Sequence, residues 1–244
     1  MRVAVLVILC ACNGAPPEQS STAQSSTAQS STAQAAPSAS SAVVDPKPHQ
    51  ATPATELGRL PEGVGISVGS KAPDFELSDG QKKRVKLSSL LEKQQVVLFF
   101  YRGGWDPYCS FQVRSFSSAF DALKQMEMLP VGVSVDATER TEEMRVHHAV
   151  RFPLLSDSDL EAHRAYRVAT KLDDDSDTRL RSIGIDIARW SERDHRQLAI
   201  PAIFLIDRSG TVRFAHASRD YQTRPDMRAL LDALHAAASS TDKR

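Results

Sequence analysis

The sequence predicts an α/β sandwich, a central mixed sheet flanked by helices. Apolar runs of strand length, Val96–Tyr101, Leu129–Val135 and Ile200–Ile206, alternate with stretches of helical spacing, the pattern of a mostly parallel sheet covered on both faces. Short strand-like stretches around Gly80 and Gly210 add hairpins, which make the sheet mixed. The 244 residues suffice for one domain with extensions or two small ones. Lys plus Arg and Asp plus Glu each number 30, so the formal charge is zero. That balance gives no basis for a nucleic-acid surface.

The first residues read as a targeting segment, 1–11. Arg2 supplies the positive end, and Val3–Leu9 is an apolar run too short to span a bilayer. Leu9-Cys10-Ala11-Cys12 resembles a bacterial lipobox, which implies lipidation and a new N-terminus at Cys12. The alternative is an ordinary secretory signal. Asn13 after the lipobox implies outer-membrane delivery, with the protein lipid-anchored to the bacterial envelope and facing the periplasm. Ser20–Gln34 is three copies of Ser-Ser-Thr-Ala-Gln, and a Pro- and Ala-rich run follows. Such composition cannot offset its ordering entropy, so residues 12–60 are expected to form a flexible tether.

The folded domain is expected over 61–240. Asp74–Leu77 and Arg84–Leu87 flank a Gly-containing turn as two strands, and Ser89-Leu90-Leu91-Glu92 fits a capping box for a short helix. After the Val96–Tyr101 strand, Gly103 and Gly104 allow a sharp turn. Val113, Phe116, Phe120 and Leu123 then mark one helical face. The Leu129–Val135 strand leads to a charged helix, about Glu139–His148, whose His147 and His148 belong on the surface. Phe152–Asp157 and Leu160–Val168 supply a strand edge and a helix. Residues 169–199 read as a helical insertion docked through Ile183, Ile185, Ile187 and Trp190. Its Asp173, Asp174, Asp175 and Asp177 lack the Gly and Glu of a calcium loop, where Thr178 and Gly184 stand, and suit a solvated helix start. No metal site or cofactor is expected. Ile200–Asp207 pairs with Val212–Ala215 as a hairpin. Pro225 is expected to start a last helix with a core stripe of Met227, Leu230, Leu231 and Leu234.

The chemistry points to Cys109. The chain has three cysteines, of which Cys10 and Cys12 lie in the N-terminal segment. The domain therefore holds a single thiol and cannot close an internal disulfide. Cys109 falls in the first turn of a helix after a central strand. The helix N-terminus favours an anion there, so the thiol is expected to ionise easily, with Arg102 and Arg114 adding positive charge. Tyr101 and Trp105 either line this site or pack around the turn. His216, at a strand end, is a candidate substrate contact.

Phe100-Tyr101-Arg102-Gly103-Gly104-Trp105-Asp106-Pro107-Tyr108-Cys109 resembles the active-site turn of the peroxiredoxin-like branch of the AhpC/TSA redoxins, within the thioredoxin superfamily. Phe152–Asp157 and Ile200–Gly210 match the same pattern, and the resemblance covers roughly 68–234. It implies a thioredoxin-like fold with the redoxin N-terminal hairpin, and a cis peptide bond at Pro201 beside the reactive cysteine. It also implies a thiol peroxidase with Cys109 as peroxidatic residue and Arg102, Trp105, Asp106, Pro107 and Tyr108 forming the active-site turn. The substrate would be hydrogen peroxide or an organic hydroperoxide. An external thiol, a thioredoxin-like protein or a small molecule, would regenerate a one-Cys enzyme. Three positions depart from the family. Asp106 stands where Thr is usual, Arg102 where Pro is usual, and no Arg stands near Pro201 to hold the peroxide. These departures support an alternative, a catalytically degenerate redoxin fold acting as a binding or scaffold lipoprotein. Disulfide reductase chemistry is a third reading, opposed by Asp106 in place of the first Cys of a Cys-x-x-Cys.

Overall fold

A computed structural model describes residues 50–239. The targeting segment, Cys12 and the Ser-Ser-Thr-Ala-Gln copies lie outside the described residues. In chain order come β1 (Gln50–Thr52), a single 3-10 turn (Ala54–Glu56), β2 (Glu76–Asp79), β3 (Arg84–Lys86), α1 (Leu87–Leu91) and β4 (Gln95–Phe100). Then follow α2 (Pro107–Ser118), α3 (Phe120–Gln125), β5 (Met128–Ser134), α4 (Thr138–His147), β6 (Leu154–Ser156) and α5 (Glu161–Ala165). The chain continues through β7 (Ala169–Lys171), α6 (Asp174–Ser182), α7 (Ile187–Ser191), β8 (Gln197–Ala199), β9 (Ala202–Ile206), β10 (Val212–Ala217), β11 (Thr223–Pro225) and α8 (Met227–Ser239).

Seven strands form the central sheet in the order β10-β9-β4-β5-β6-β2-β3. Strands β4, β5 and β6 run parallel, while β9 pairs antiparallel with β4 and β2 antiparallel with β6. The sheet is therefore mixed, as expected. β4 is its centre, and every residue from Val96 to Tyr101 is inaccessible to solvent. Its alternation sorts side chains between two cores. Val96, Leu98 and Phe100 join Leu87, Leu91, Tyr166 and Phe204 on one face. Val97, Phe99 and Tyr101 join Val113, Phe116, Leu123, Met144, Leu230 and Leu234 on the other. Each such side chain contributes about 1.5–3 kcal/mol by leaving water. Gly132 lets β5 lie flat in the second core, because a Cβ there would come within 2.6 Å of Leu154 and 2.7 Å of Phe99.

Several local expectations need correction. Secondary structure is already present before Leu60, in β1 at Gln50–Thr52. β1 pairs in parallel with β11, Ala51 opposite Arg224, and Thr52 is buried. The capping box does not form. α1 starts at Leu87 without a cap from its own flanking side chain, and Asp74 Oδ1 accepts the Ser88 N–H across the chain at 2.9 Å. Pro225 closes β11, and the last helix starts after Asp226, whose Oδ1 accepts the Ala229 N–H at 3.0 Å.

In the insertion, β7 and β8 form an antiparallel ribbon that carries α6 and α7. Ile187 anchors it against Val135, Leu160 and Leu198, with Ile185 and Trp105 packed alongside. Ile183 is exposed instead, because Gly184 turns the chain at φ +83° just after it. The acidic run opens α6 as expected for a solvated helix start. Asp173 accepts the Ser176 N–H at 2.6 Å, and Asp174 and Asp177 pair with Arg196.

Candidate active site

Cys109 lies in the first turn of α2, where the sequence placed it. Pro107 is the first helical residue, where a missing N–H goes unused. Asp106 caps the helix by accepting the Tyr108 N–H at 2.9 Å. The preceding turn is held from the segment just after β5. Asp136, fully buried, accepts the Gly104 N–H at 2.7 Å and the Ser134 hydroxyl at 3.1 Å. Only glycine fits at 103, since a Cβ would strike the Trp105 indole nitrogen and lie 2.8 Å from Asp136 Oδ1. Burial pushes the Asp136 carboxyl up to about 7, against the pull of its two hydrogen bonds.

The thiol is fully buried. Two donors face its sulfur, the Arg102 N–H at 3.3 Å and Arg224 Nη2 at 3.4 Å. Arg224, itself 2% exposed, reaches the thiol from β11. Its remaining hydrogen bonds go to neutral acceptors, Gln112 Oε1 at 2.9 Å, the Thr223 carbonyl at 2.8 Å and the Tyr221 carbonyl. Its positive charge therefore faces the sulfur without a carboxylate to cancel it. An arginine thus stands at the sulfur although none is close to Pro201 in sequence.

The expected easy ionisation is not what this closed arrangement produces. Burial pushes the Cys109 thiol up to about 12, and the Asp106 charge adds to the rise. Arg224, the Arg102 N–H and the Arg102 charge oppose it. Desolvation outweighs a helix dipole whose effect is typically 0.3–1 kcal/mol, about 2 at most. Asp106 is itself compensated, because Arg102 pairs with its second oxygen at 3.1 Å in a nearly dry setting. The Arg102 guanidinium is held between the Trp105 ring, 5.0 Å away, and the Tyr221 ring, 4.0 Å away. Tyr108 meets Tyr221 edge to face. Thus Arg102, Trp105, Asp106 and Tyr108 form one cluster beside the thiol, while Pro107 is exposed at the helix start. Arg114 is on the exposed side of α2, where its charge acts on His148, and it is not among the main influences on the Cys109 thiol.

Pro201 is not cis, since the described residues contain no cis peptide bond. The trans form is the lower in energy for an X–Pro bond, and here the extended register continues through it. The Ile200 N–H bonds the Val168 carbonyl at 2.7 Å, and the Pro201 carbonyl accepts the Ser218 N–H at 3.1 Å. Pro201 does come to the site, lining a cleft of about 10 Å³ with Gln112, His216 and Arg224.

Sequence reasoning missed Arg224, Gln112 and Asp136. Arg224 is 115 residues from Cys109 and sits in an unremarked Thr-Arg-Pro. Gln112 had a findable signal, a polar residue one turn after the cysteine next to apolar Val113.

The model of the AhpC/TSA family matches residues 68–215. The chain belongs to the AhpC/TSA family. A chloroplastic 2-cysteine peroxiredoxin of Chattonella marina is 32% identical over 118 residues, 44% of this chain and 60% of that protein. Peroxiredoxin Bcp of Bacillus subtilis is 31% identical over 103 residues, 42% of this chain and 65% of that protein. The chain thus spans less than two thirds of the length of either relative. Among solved structures, peroxidoxin BcpB of Mycobacterium tuberculosis superposes with a TM-score of 0.56 at 22% identity, covering 72% of this chain and 97% of that one. The fold is thioredoxin-like. The AhpC/TSA match ends before β11, so Arg224 lies outside the part of the chain that the family model describes.

Proposed function

We propose that the protein is a one-Cys thiol peroxidase. The observation that carries this reading is the pair of donors on one buried sulfur, Arg102 N–H and Arg224 Nη2. They are placed to steady a thiolate and the oxygens of a peroxide as charge moves from sulfur to oxygen. The Cys109 sulfur attacks one peroxide oxygen, an S–O bond forms and the O–O bond breaks. Sulfur is oxidised to sulfenic acid, and the departing oxygen takes a proton to leave as water or an alcohol. Cys109 is the free cysteine of the described residues. An external thiol must therefore attack the sulfenic acid, release water and form a mixed disulfide, which a second thiol reduces. The high thiol pKa of the closed site means that attack follows an opening that admits peroxide and water. Membership of a family whose relatives are named peroxiredoxins supports the same reading.

Peroxide treatment should give a sulfenic acid that a dimedone-type reagent traps at Cys109. Excess peroxide should carry it to sulfinic acid, since the described residues hold no second thiol to intercept it. Cys109→Ser should fold and consume no peroxide. Equal, slow consumption by both forms would transfer the chain to the scaffold reading. We also propose that Cys12 is lipidated and anchors the protein to a bacterial envelope membrane, on the Leu9-Cys10-Ala11-Cys12 motif. Mass spectrometry of the native N-terminus should find a diacylglyceryl Cys12, and a different cleavage site would refute it.

A further inference from the structure

The N-terminal strap, from β1 through Pro61, passes the end of β10 and borders an open cavity of about 330 Å³, which adjoins the small cleft at Pro201 through His216 and Thr223. Thr52, Glu56, Arg59, Leu60, His216 and Thr223 contribute to its lining. This is at the lower end of the range for small-molecule sites. Two features mark it as built for a ligand. His216 is 5% exposed and Thr52 is 7% exposed, yet both ring nitrogens of His216 and the Thr52 hydroxyl lack hydrogen-bond partners. Buried polar groups are nearly always satisfied. The Arg59 carbonyl, which accepts the Ala217 N–H at 3.1 Å, keeps a second lone pair near the imidazole and favours a proton on the ring there, so the Thr52 hydroxyl and the far side of the ring are what a ligand would meet. Burial holds His216 below its ordinary pKa, so the ring offers one donor and one acceptor.

The second feature is charge. Glu56 and Arg59 are exposed on the strap. Neither forms an ion pair among the described residues. Both contribute to the lining beside the neutral groups of His216 and Thr52, so the cavity offers one charge of each sign to a molecule with a carboxylate, an ammonium and a short polar side chain. A simple anion or cation would satisfy one charge and leave the other opposed. We propose that this cavity is a binding site for a zwitterionic α-amino acid with a hydroxyl-type side chain. Arg59 meets the carboxylate, Glu56 the ammonium, and His216 and Thr52 the side chain.

L-Serine is the probe, used with the full chain. It carries no thiol, so binding is read apart from any reaction at Cys109. Calorimetry should show saturable binding, and the His216 ring resonances should shift with the same midpoint. Glu56→Gln and Arg59→Gln, both at exposed positions, should each weaken binding about tenfold, the effect of losing one charge-assisted hydrogen bond. L-Serinamide and N-acetyl-L-serine, each lacking one charge, should bind more weakly by a similar factor. The proposal is overturned if L-serine gives neither heat nor a His216 shift. It is equally overturned if the three probes bind alike, or if both variants keep full affinity.

Discussion

At Cys109 the sulfur is balanced between one carboxylate and two arginines, and substitutions should separate their effects. Arg224→Gln removes a charge that faces the sulfur directly. It should raise the thiol pKa further and slow peroxide reaction about 10- to 100-fold, the range for losing a hydrogen bond to a charged group. Asp106→Asn keeps an oxygen for the Tyr108 N–H but removes the opposing charge. It should lower the thiol pKa, read as faster alkylation at a fixed mildly alkaline pH. Asp136 supplies a third test at this scale. Its carboxyl titrates near 7 in the fold against an ordinary value of 3.8. Between those values the unfolded chain releases a proton that the folded chain still holds. Stability from this group is thus greatest at low pH and declines as pH rises from about 4 to 7. Asp136→Asn should remove that slope, so that the denaturation free energies of wild type and variant differ by roughly 2–4 kcal/mol more at pH 8 than at pH 4, in the variant's favour.

Among the elements, the strap and β11 are the least expected and the most consequential for the site. β1 holds β11 in register, and β11 holds Arg224 against the thiol. A chain starting at Leu60 should therefore melt about 4–8 °C below one that retains the strap, the shift for a loss of roughly 2 kcal/mol at this size. Its Cys109 should also titrate higher, as in Arg224→Gln. Equal melting would show that β1 adds nothing. The elements that sequence reading recovered have a common physical basis. β4, β5 and β9 are unbroken apolar runs because both faces of the sheet are covered, and α2 shows its stripe through Val113 and Phe116. β1 and β11 are three-residue polar strands, Gln-Ala-Thr and Thr-Arg-Pro. They have no periodicity to read, because pairing with each other holds them in place and not a buried face. For the same reason Pro225 looked like a helix start. The site was legible as far as its local turn, residues 102–109. Its long-range parts, Arg224 and Asp136, depend on chain crossings that no local pattern encodes.

On the scale of the whole molecule, the same chain crossings finish the sheet at one side. β10 would otherwise end it with open backbone groups, the kind of edge on which another chain can add a strand. Instead the Gly69 N–H bonds the Val212 carbonyl at 2.8 Å and the Val212 N–H bonds the Ser70 carbonyl at 3.0 Å, while the Ala217 N–H bonds the Arg59 carbonyl at 3.1 Å. At the opposite end β3 is three residues long, with Arg84 and Lys86 exposed and paired to Glu76 and Asp74. A short charged edge on one side and a self-covered edge on the other leave little room for intermolecular strand exchange. A dimer extending one continuous sheet through β10 would first have to peel away residues 59–70, the stretch that leads from the strap into the body of the domain.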